Sequence, residues 1–299
     1  MLRTRLLTAA VLAPIILVTA VLGEPWLSLL VGLVIFLALV EVIGLLDAAG
    51  FQPPQVLMLA AGILVGGATI VAANQGFVGA LLSSLLSATA IPGLPVVAFA
   101  AAVVVLGIAS FTRLDPRSGF LTWATSMFGV AYVALLAPFI VLVAHLGPPD
   151  GGSGTTVGAL GLRAGTTWML SLLLVVWGYD TGAYAAGRWF GRRQLIPHIS
   201  PSKTVEGVGG GIATAIVAAA IGAWLGGLPL WHALFMGPLV GLAAQAGDLA
   251  ESMLKRAANR KESGYLIPGH GGMLDRLDSF LFAAPVLAGY ALLVVGAGT

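Results

Sequence analysis

The stretch that decides the fold is Trp26–Leu46, WLSLLVGLVIFLALVEVIGLL, in which Glu41 is the only charged residue. An apolar run of this length crosses the hydrocarbon core of a bilayer as a helix. Comparable runs recur along the chain, and together they predict an all-α, polytopic membrane protein with about nine transmembrane helices. The nine predicted spans are 6–22, 26–46, 56–73, 97–112, 123–146, 167–186, 209–229, 232–250 and 277–297.

The overall composition supports the same fold class. The chain is 59% hydrophobic and only 9% charged, whereas a soluble domain carries about 25% charged residues. So few charges do not cover a soluble particle of this size. The chain has no cysteine, which excludes disulfides and thiolate metal sites. The net charge of +2 gives no reason to expect a nucleic-acid partner.

Two segments leave the span count open. Met1–Arg5 is basic and precedes an apolar run, as in a signal peptide, but no clear small-x-small cleavage site follows, so we expect an uncleaved first span. The segment 76–90 is a tenth candidate that runs into Pro92. We expect this segment to be interfacial or re-entrant, because a tenth span would separate Arg3 and Arg5 from the other basic loops.

Charge is distributed unevenly along the chain. With nine spans, 13 of the 14 Lys and Arg residues fall on one side, and only Arg163 falls outside. The positive-inside rule makes that side cytoplasmic and places the loop 147–166 outside. The first 110 residues hold few charges and the stretch 178–279 holds most of the rest. We therefore predict an N-terminal transmembrane scaffold, 1–120, and a C-terminal catalytic region, 121–299, within one membrane unit.

The stretch Gly247–Ser279 carries the predicted chemistry. Asp248 lies near the end of an apolar span. A charged side chain in a membrane helix costs about 2.5–3.5 kcal/mol at the helix centre, so it normally faces a cavity or a partner. Ser252 and Lys255 follow it at i+4 and i+7, on the same helix face. A basic cluster comes next; it consists of Lys255, Arg256, Arg260 and Lys261.

A glycine-rich turn and three charged residues complete this stretch. Gly271 and Gly272 expose backbone N–H groups that suit an anion. Asp275 and Asp278 are spaced i, i+3 on one face, with Arg276 between them. Carboxylates beside cations and a glycine-rich turn favour a site that holds Mg²⁺ and a polyphosphate. Simpler interpretations are a solvated basic loop, an ion-pair cluster that caps the last helix, and a structural role for Asp248.

A second polar cluster precedes the first. Asp180 lies in a span, and Lys203 lies in a short loop before the next one. The simpler interpretation of this loop is a helix start, in which Ser200 or Thr204 caps the helix and Glu206 completes a capping box.

These motifs resemble the phosphatidate cytidylyltransferase (CDP-diacylglycerol synthase) family over about 100 residues. The downstream signature matches at Ser252, Lys255-Arg256, Lys261, His270-Gly271-Gly272, Asp275-Arg276 and Asp278. The two upstream blocks match at Asp180-Thr181-Gly182 and at Ser200-Pro201, Lys203-Thr204 and Glu206-Gly207. The chain departs from the family pattern at Glu262, where an aspartate is usual, and at Ser202, where a lysine is frequent.

The resemblance implies a Mg²⁺-dependent enzyme of phospholipid biosynthesis that converts CTP and phosphatidate to CDP-diacylglycerol and pyrophosphate. It implies an integral protein of a bacterial inner (plasma) membrane with the site facing the cytoplasm. The implied catalytic residues are Asp248, Lys255, Arg256, Asp275 and Asp278. The implied substrate and phosphate ligands are Lys203, Ser252, Lys261, His270, Gly271, Gly272, Arg276 and Asp180. The implied metal ligands are Asp248, Asp275 and Asp278; a second cation and a homodimer are left open.

Two other functions stay open from the sequence. One is CTP-dependent transfer to a different lipid phosphate, since no motif in the sequence identifies the acyl chains of the acceptor. The other is an ion-coupled transporter that uses Asp180 and Asp248 within broken helices. The clustering of charges at one side rather than at the midplane argues against the transporter.

Overall fold

The computed structural model describes residues 2–73, 93–148, 152–158, 160–266 and 271–296. Within these ranges the chain is mainly helical, with two short antiparallel strand pairs. The α-helices are α1 Leu2–Leu22, α2 Trp26–Ala48, α3 Gln55–Ala73, α4 Leu94–Ser110, α5 Pro116–Val130, α6 Phe139–Ala144, α7 Ala164–Phe190, α8 Val205–Gly226, α9 Ala233–Ala257 and α10 Leu274–Tyr290. The strands are β1 Thr156–Val157, β2 Leu162–Arg163, β3 Gln194–Ile196 and β4 Ser200–Thr204. Short π-helical or 3₁₀ turns are Ala131–Leu135, Leu230–His232 and Ala291–Val295.

The helices confirm the predicted fold class. In the described part of the chain, 7 helices are long and apolar enough to cross a membrane. Two shorter apolar helical stretches, Ala13–Leu22 within α1 and Leu94–Ser110 (α4), lie in the remaining predicted spans. The protein is therefore an all-α integral membrane protein, while the count of nine spans stays a prediction. The segment 76–90 lies outside the described residues.

The chain forms two compact units that interleave along the sequence. The first consists of Met1–Val141 and Leu254–Leu277, and the second of Leu142–Met253 and Asp278–Thr299. Both α9 and α10 contribute residues to each unit. The predicted division at residue 120 into scaffold and catalytic region stays a prediction.

In the first unit, α2 carries apolar residues on its exposed face as well as on its buried face. Leu29 and Leu33 are exposed, whereas Leu39 and Leu46 are buried. A helix that is hydrophobic all round is typical of a membrane span, because lipid replaces water on its outer face. A Cβ atom on Gly62 would lie 2.5 Å from Leu39 Cδ1, so this glycine lets α2 and α3 approach closely.

In the second unit, α7 and α8 pack at backbone distance. A Cβ atom on Gly182 would meet the Thr214 side chain and would lie 2.7 Å from the carbonyl oxygen of Gly210. The Thr214 hydroxyl donates to the carbonyl of Gly178 at 2.8 Å. Small residues at the contact allow the two helices to approach closely, and this close packing fixes the position of Asp180 on α7.

Some helix ends differ from the predicted spans for local reasons. The predicted span 123–146 is interrupted after Leu135, where a turn contains Pro138, since proline lacks the N–H that an α-helix needs. Helix α9 continues past its apolar part to Ala257 and carries Lys255 and Arg256 in its last turn. Cations there interact favourably with the negative end of the helix dipole.

Candidate active site

A β-hairpin in the second unit positions Lys203. Strand β3 pairs with β4 in antiparallel register, and the Gln194 side chain donates to the carbonyl of Pro201 at 3.0 Å. The Thr204 hydroxyl then accepts from the N–H of Gly207 at 3.1 Å and caps α8. This confirms Thr204 as the predicted cap.

Glu206 closes the hairpin instead of completing a capping box. Its carboxylate accepts from the backbone N–H groups of Arg192 and Arg193 at 3.0 and 3.2 Å. The carboxylate thus ties the chain that enters the hairpin to the start of α8. Lys203 is held on both sides by this arrangement.

Lys203 forms an ion pair with Asp248. The Lys203 Nζ lies 2.5 Å from Asp248 Oδ2, and the two side chains are 17% and 33% exposed. The Ser252 hydroxyl donates to Asp248 Oδ1 at 3.3 Å, which confirms that Ser252 shares the helix face of Asp248. Both oxygens of Asp248 therefore have a partner, and solvent still reaches the group.

Two further carboxylates lie beside Asp248. One ligand oxygen each from Asp248, Glu251 and Asp278 lies within 4.8 Å of the others. A Cβ atom on Gly247 would meet the carbonyl oxygen of Asp278, so this glycine lets α10 approach α9. The sequence predicted Asp248 and Asp278 but missed Glu251, which is fully buried. Its spacing of i+3 from Asp248 was the signal that could have found it.

A cavity of about 380 Å³ adjoins this group in the second unit. Its polar lining includes two cations, two carboxylates, one neutral amide and one phenol. These residues are Asp180, Tyr184, Arg188, Lys203, Gln245 and Asp248. Because both cations and carboxylates line the cavity, it suits a ligand that carries phosphates together with a divalent cation.

Asp275 is saturated by hydrogen bonds in the first unit. Its Oδ1 lies 2.6 Å from Lys255 Nζ. Its Oδ2 accepts from the N–H of Ser263 at 3.0 Å and from the N–H of Gly272 at 2.8 Å. We expected the N–H of Gly272 to bind a phosphate. In this structure it donates instead to Asp275.

Glu41 lies in the same cluster. Its Oε1 accepts from the N–H of Met273 and its Oε2 from the N–H of Leu274, both at 2.8 Å. The Ser263 hydroxyl lies 2.9 Å from Glu41 Oε2 and 2.8 Å from Asp275 Oδ2. Glu41 thus caps the N-terminus of α10, where the helix dipole favours an anion.

Glycine is required around this carboxylate. A Cβ atom on Gly272 would meet the Glu41 carboxylate and the Ser263 hydroxyl, and one on Gly264 would lie 2.7 Å from Glu41 Oε1. Gly271 has φ +80°, a conformation that favours glycine. One physical reason for the paired glycines after residue 270 is therefore to admit two carboxylates to one turn.

The other predicted site residues are less constrained. Arg256, Lys261 and Arg276 are exposed, and Arg256 donates to the carbonyl of Arg260 at 3.3 Å. His270 lies outside the described residues. The structure thus joins Lys203, Asp248, Ser252 and Asp278 in the second unit, and Lys255, Gly272 and Asp275 in the first. The metal and phosphate roles assigned to these residues stay predictions.

Fold and site together define an integral membrane protein with polar, phosphate-compatible groups embedded among apolar helices. The chain belongs to the cytidylyltransferase family, whose family model matches residues 3–294.

Individual relatives match the chain over shorter stretches. The phosphatidate cytidylyltransferase of Synechocystis sp. is 45% identical over 122 residues, which are 40% of this chain and 41% of the relative. The phosphatidate cytidylyltransferase of Bacillus subtilis is 46% identical over 125 residues, 41% of this chain and 46% of the relative. A protein of Escherichia coli K12 named uncharacterized protein YnbB is 42% identical over 126 residues, 42% of each chain. The matches thus cover less than half the length of each of these relatives.

Proposed function

We propose that the protein transfers the cytidylyl group of CTP to phosphatidate and releases CDP-diacylglycerol and pyrophosphate. Family membership supports the cytidylyl chemistry, and the names of two of the relatives above support phosphatidate as the acceptor. We place the protein in a bacterial inner membrane with the site facing the cytoplasm, because nearly all its Lys and Arg residues fall on one predicted side.

The observation that carries the proposal is the group formed by Lys203, Asp248, Glu251 and Asp278 beside the cavity. A charged group in an apolar span is costly unless it has a partner, so such a group usually marks a functional site. Here Lys203 pairs with Asp248, and one oxygen each of Asp248, Glu251 and Asp278 lies within 4.8 Å of the others. Carboxylate oxygens grouped in this way are ligands that Mg²⁺ prefers.

The residues present therefore fit a divalent cation. We propose Asp248, Glu251 and Asp278 as its protein ligands, with the remaining positions left to water and phosphate oxygens. When bound, Mg²⁺ would offset the negative charge of the triphosphate and stabilise the departing pyrophosphate. Asp275 was also predicted as a ligand, but its Oδ2 accepts from two backbone N–H groups, those of Ser263 and Gly272, and its Oδ1 pairs with Lys255. The partners of Asp248 are instead the side chains of Lys203 and Ser252, which can move when a ligand binds. We propose instead that Asp275 holds Lys255.

The chain's own residues have to overcome repulsion between two anions. An oxygen of the phosphatidate phosphate forms a bond to the α-phosphorus of CTP, and the bond from that phosphorus to the bridging oxygen of the β-phosphate breaks. The attacking oxygen is already anionic at neutral pH, so the reaction needs no strong general base. Lys203 is placed to neutralise a phosphate, and Arg188 on the same cavity offers a second cation. The acyl chains stay in lipid.

The test is formation of labelled CDP-diacylglycerol from labelled CTP and phosphatidate by the purified protein, with and without Mg²⁺. Asp248→Asn and Asp278→Asn should each lower turnover at least about 100-fold, on the order of 2.7 kcal/mol of transition-state stabilisation. Asp47→Asn is the matched control, since Asp47 is exposed and belongs to neither cluster, and should keep normal turnover. Product from another lipid phosphate but none from phosphatidate would contradict the proposed acceptor. Normal turnover by either Asn variant would contradict the proposed metal ligands.

A further inference from the structure

Gln245 is a buried amide with an unused donor at the edge of the cavity. Its side chain is 9% exposed and lines the cavity together with Lys203 and Asp248. Its Nε2 exposes less than 1 Å² and has no hydrogen-bond partner among the residues that the structure describes. A buried donor left unsatisfied costs about 1–3 kcal/mol, so this nitrogen is a candidate contact for a ligand.

Tyr179 sets the orientation of this amide. Its hydroxyl lies 3.5 Å from Gln245 Oε1, and its ring is fully buried. The ring is confined by two glycines: a Cβ atom on Gly211 would lie 2.8 Å from Cε2, and one on Gly241 would lie 2.5 Å from Cδ2. Because the ring has no room to move, the hydroxyl oxygen stays beside the amide. In the observed orientation Oε1 faces Tyr179, and Nε2 is left for another acceptor.

The neutral amide suits the neutral part of a nucleotide. Lys203 and Arg188 on the cavity are the groups that suit phosphates. A glutamine amide presents a donor and an acceptor side by side in one plane. In nucleic-acid recognition such an amide forms two hydrogen bonds at once, to a ring nitrogen and to the adjacent amino group of a base. Cytosine presents that combination at N3 and N4, whereas uracil presents the reverse pattern. An ester of the lipid offers acceptors only.

We propose that Gln245, oriented by Tyr179, recognises the N3 and N4 edge of cytosine and is a specificity-determining residue for the nucleotide. The inference rests on the proposed use of CTP. Nε2 would donate to N3, and the second lone pair of Oε1 would accept from the N4 amino group. Nε2 becomes accessible by a turn about the last side-chain torsion, which has a broad energy profile. The contact to Tyr179 at 3.5 Å is long for a hydrogen bond and permits a limited turn in which Oε1 stays on the side of Tyr179.

The test compares kcat/KM for CTP and UTP in the wild type, in Gln245→Leu and in Tyr179→Phe. A site built to hydrogen-bond its substrate rejects an analogue that lacks the match, so Gln245→Leu should lower kcat/KM for CTP at least about tenfold and leave the KM for phosphatidate unchanged. Tyr179→Phe keeps the ring and frees the amide to turn, so it should reduce the CTP-to-UTP preference at least about fivefold. Gln55→Leu, on an exposed residue at the start of α3, is the control and should change neither value.

A binding measurement separates this inference from the proposed function. CTP without lipid should raise the thermal midpoint of the wild type, and the rise should be absent in Gln245→Leu. In Gln245→Leu, an equal loss of kcat/KM for CTP and for UTP would overturn the assignment of Gln245 to the base. A change confined to a higher KM for phosphatidate would also overturn it. If the wild type makes no product from CTP and phosphatidate, the proposed function fails. The base assignment then stands or falls on whether stabilisation by CTP depends on Gln245.

Discussion

Replacement of Glu41 by glutamine tests the cluster that the sequence did not reveal. The carboxylate accepts from the N–H groups of Met273 and Leu274, one on each oxygen, at 2.8 Å. In Glu41→Gln one of these oxygens becomes an NH₂ group, which points a donor at a backbone donor. At least one amide therefore loses its acceptor. A hydrogen bond to a charged group contributes about 1.5–3 kcal/mol, so local opening at that amide should become about 10- to 150-fold more frequent.

Hydrogen exchange measured by mass spectrometry on peptides that cover 271–277 reports this opening directly, without any assay of activity. The matched control is Glu206→Gln, which makes the same chemical change at a carboxylate that accepts from Arg192 and Arg193. In this control both N–H groups share one oxygen, which the glutamine carbonyl can replace. Exchange near 192–193 should therefore rise less than exchange at 271–277 does in Glu41→Gln, and 271–277 should stay as in the wild type. Unchanged exchange at 271–277 in Glu41→Gln would show that the carboxylate does not hold this turn, and the account of Glu41 as a cap would be wrong.

Two further predictions address packing and topology. Gly247→Ala places a methyl group against the carbonyl of Asp278 and should lower both turnover and the free energy of unfolding, the latter by about 1–3 kcal/mol. The control Gly209→Ala, with no atom within 4 Å of the new methyl, should be neutral or stabilising in the same thermal melt. Equal melting temperatures of the two variants would mean that α9 and α10 do not need this glycine. The chain lacks cysteine, so single cysteines at Ser153 and Glu262 should react with an impermeant maleimide from opposite sides of the membrane. Labelling of both from one side would contradict the nine-span topology.

The fold class was predictable because the signal is local. Each apolar run satisfies its own backbone hydrogen bonds as a helix, so run length and composition are enough to identify a span. Lys203, Asp248 and Asp278 were predictable for a related reason. They are charged groups at the edges of apolar helices, where a charge needs a partner or a function.

Glu41 was missed because its contacts are distant in sequence. The carboxylate was counted with the sparse charges of the N-terminal part, although the cost argument applied to Asp248 applies equally to a lone carboxylate in Trp26–Leu46. Its partner Ser263 follows 222 residues later, and no periodicity connects the two. Gln245 was missed because a neutral amide in an apolar span gives no charge signal. Its interest arises only from the cavity and from Tyr179.

The long separation between Glu41 and its partners has a consequence for biosynthesis. Translation adds about 5–20 residues per second, so the 222 residues from Glu41 to Ser263 take on the order of 10–45 seconds to make. During that interval Glu41 on α2 lacks the N–H groups of Met273 and Leu274, from which its carboxylate later accepts hydrogen bonds. The first unit therefore reaches its final hydrogen bonding only after the ribosome has passed residue 274. Formation of this cluster is therefore a late event in the synthesis of the residues that make up the first unit.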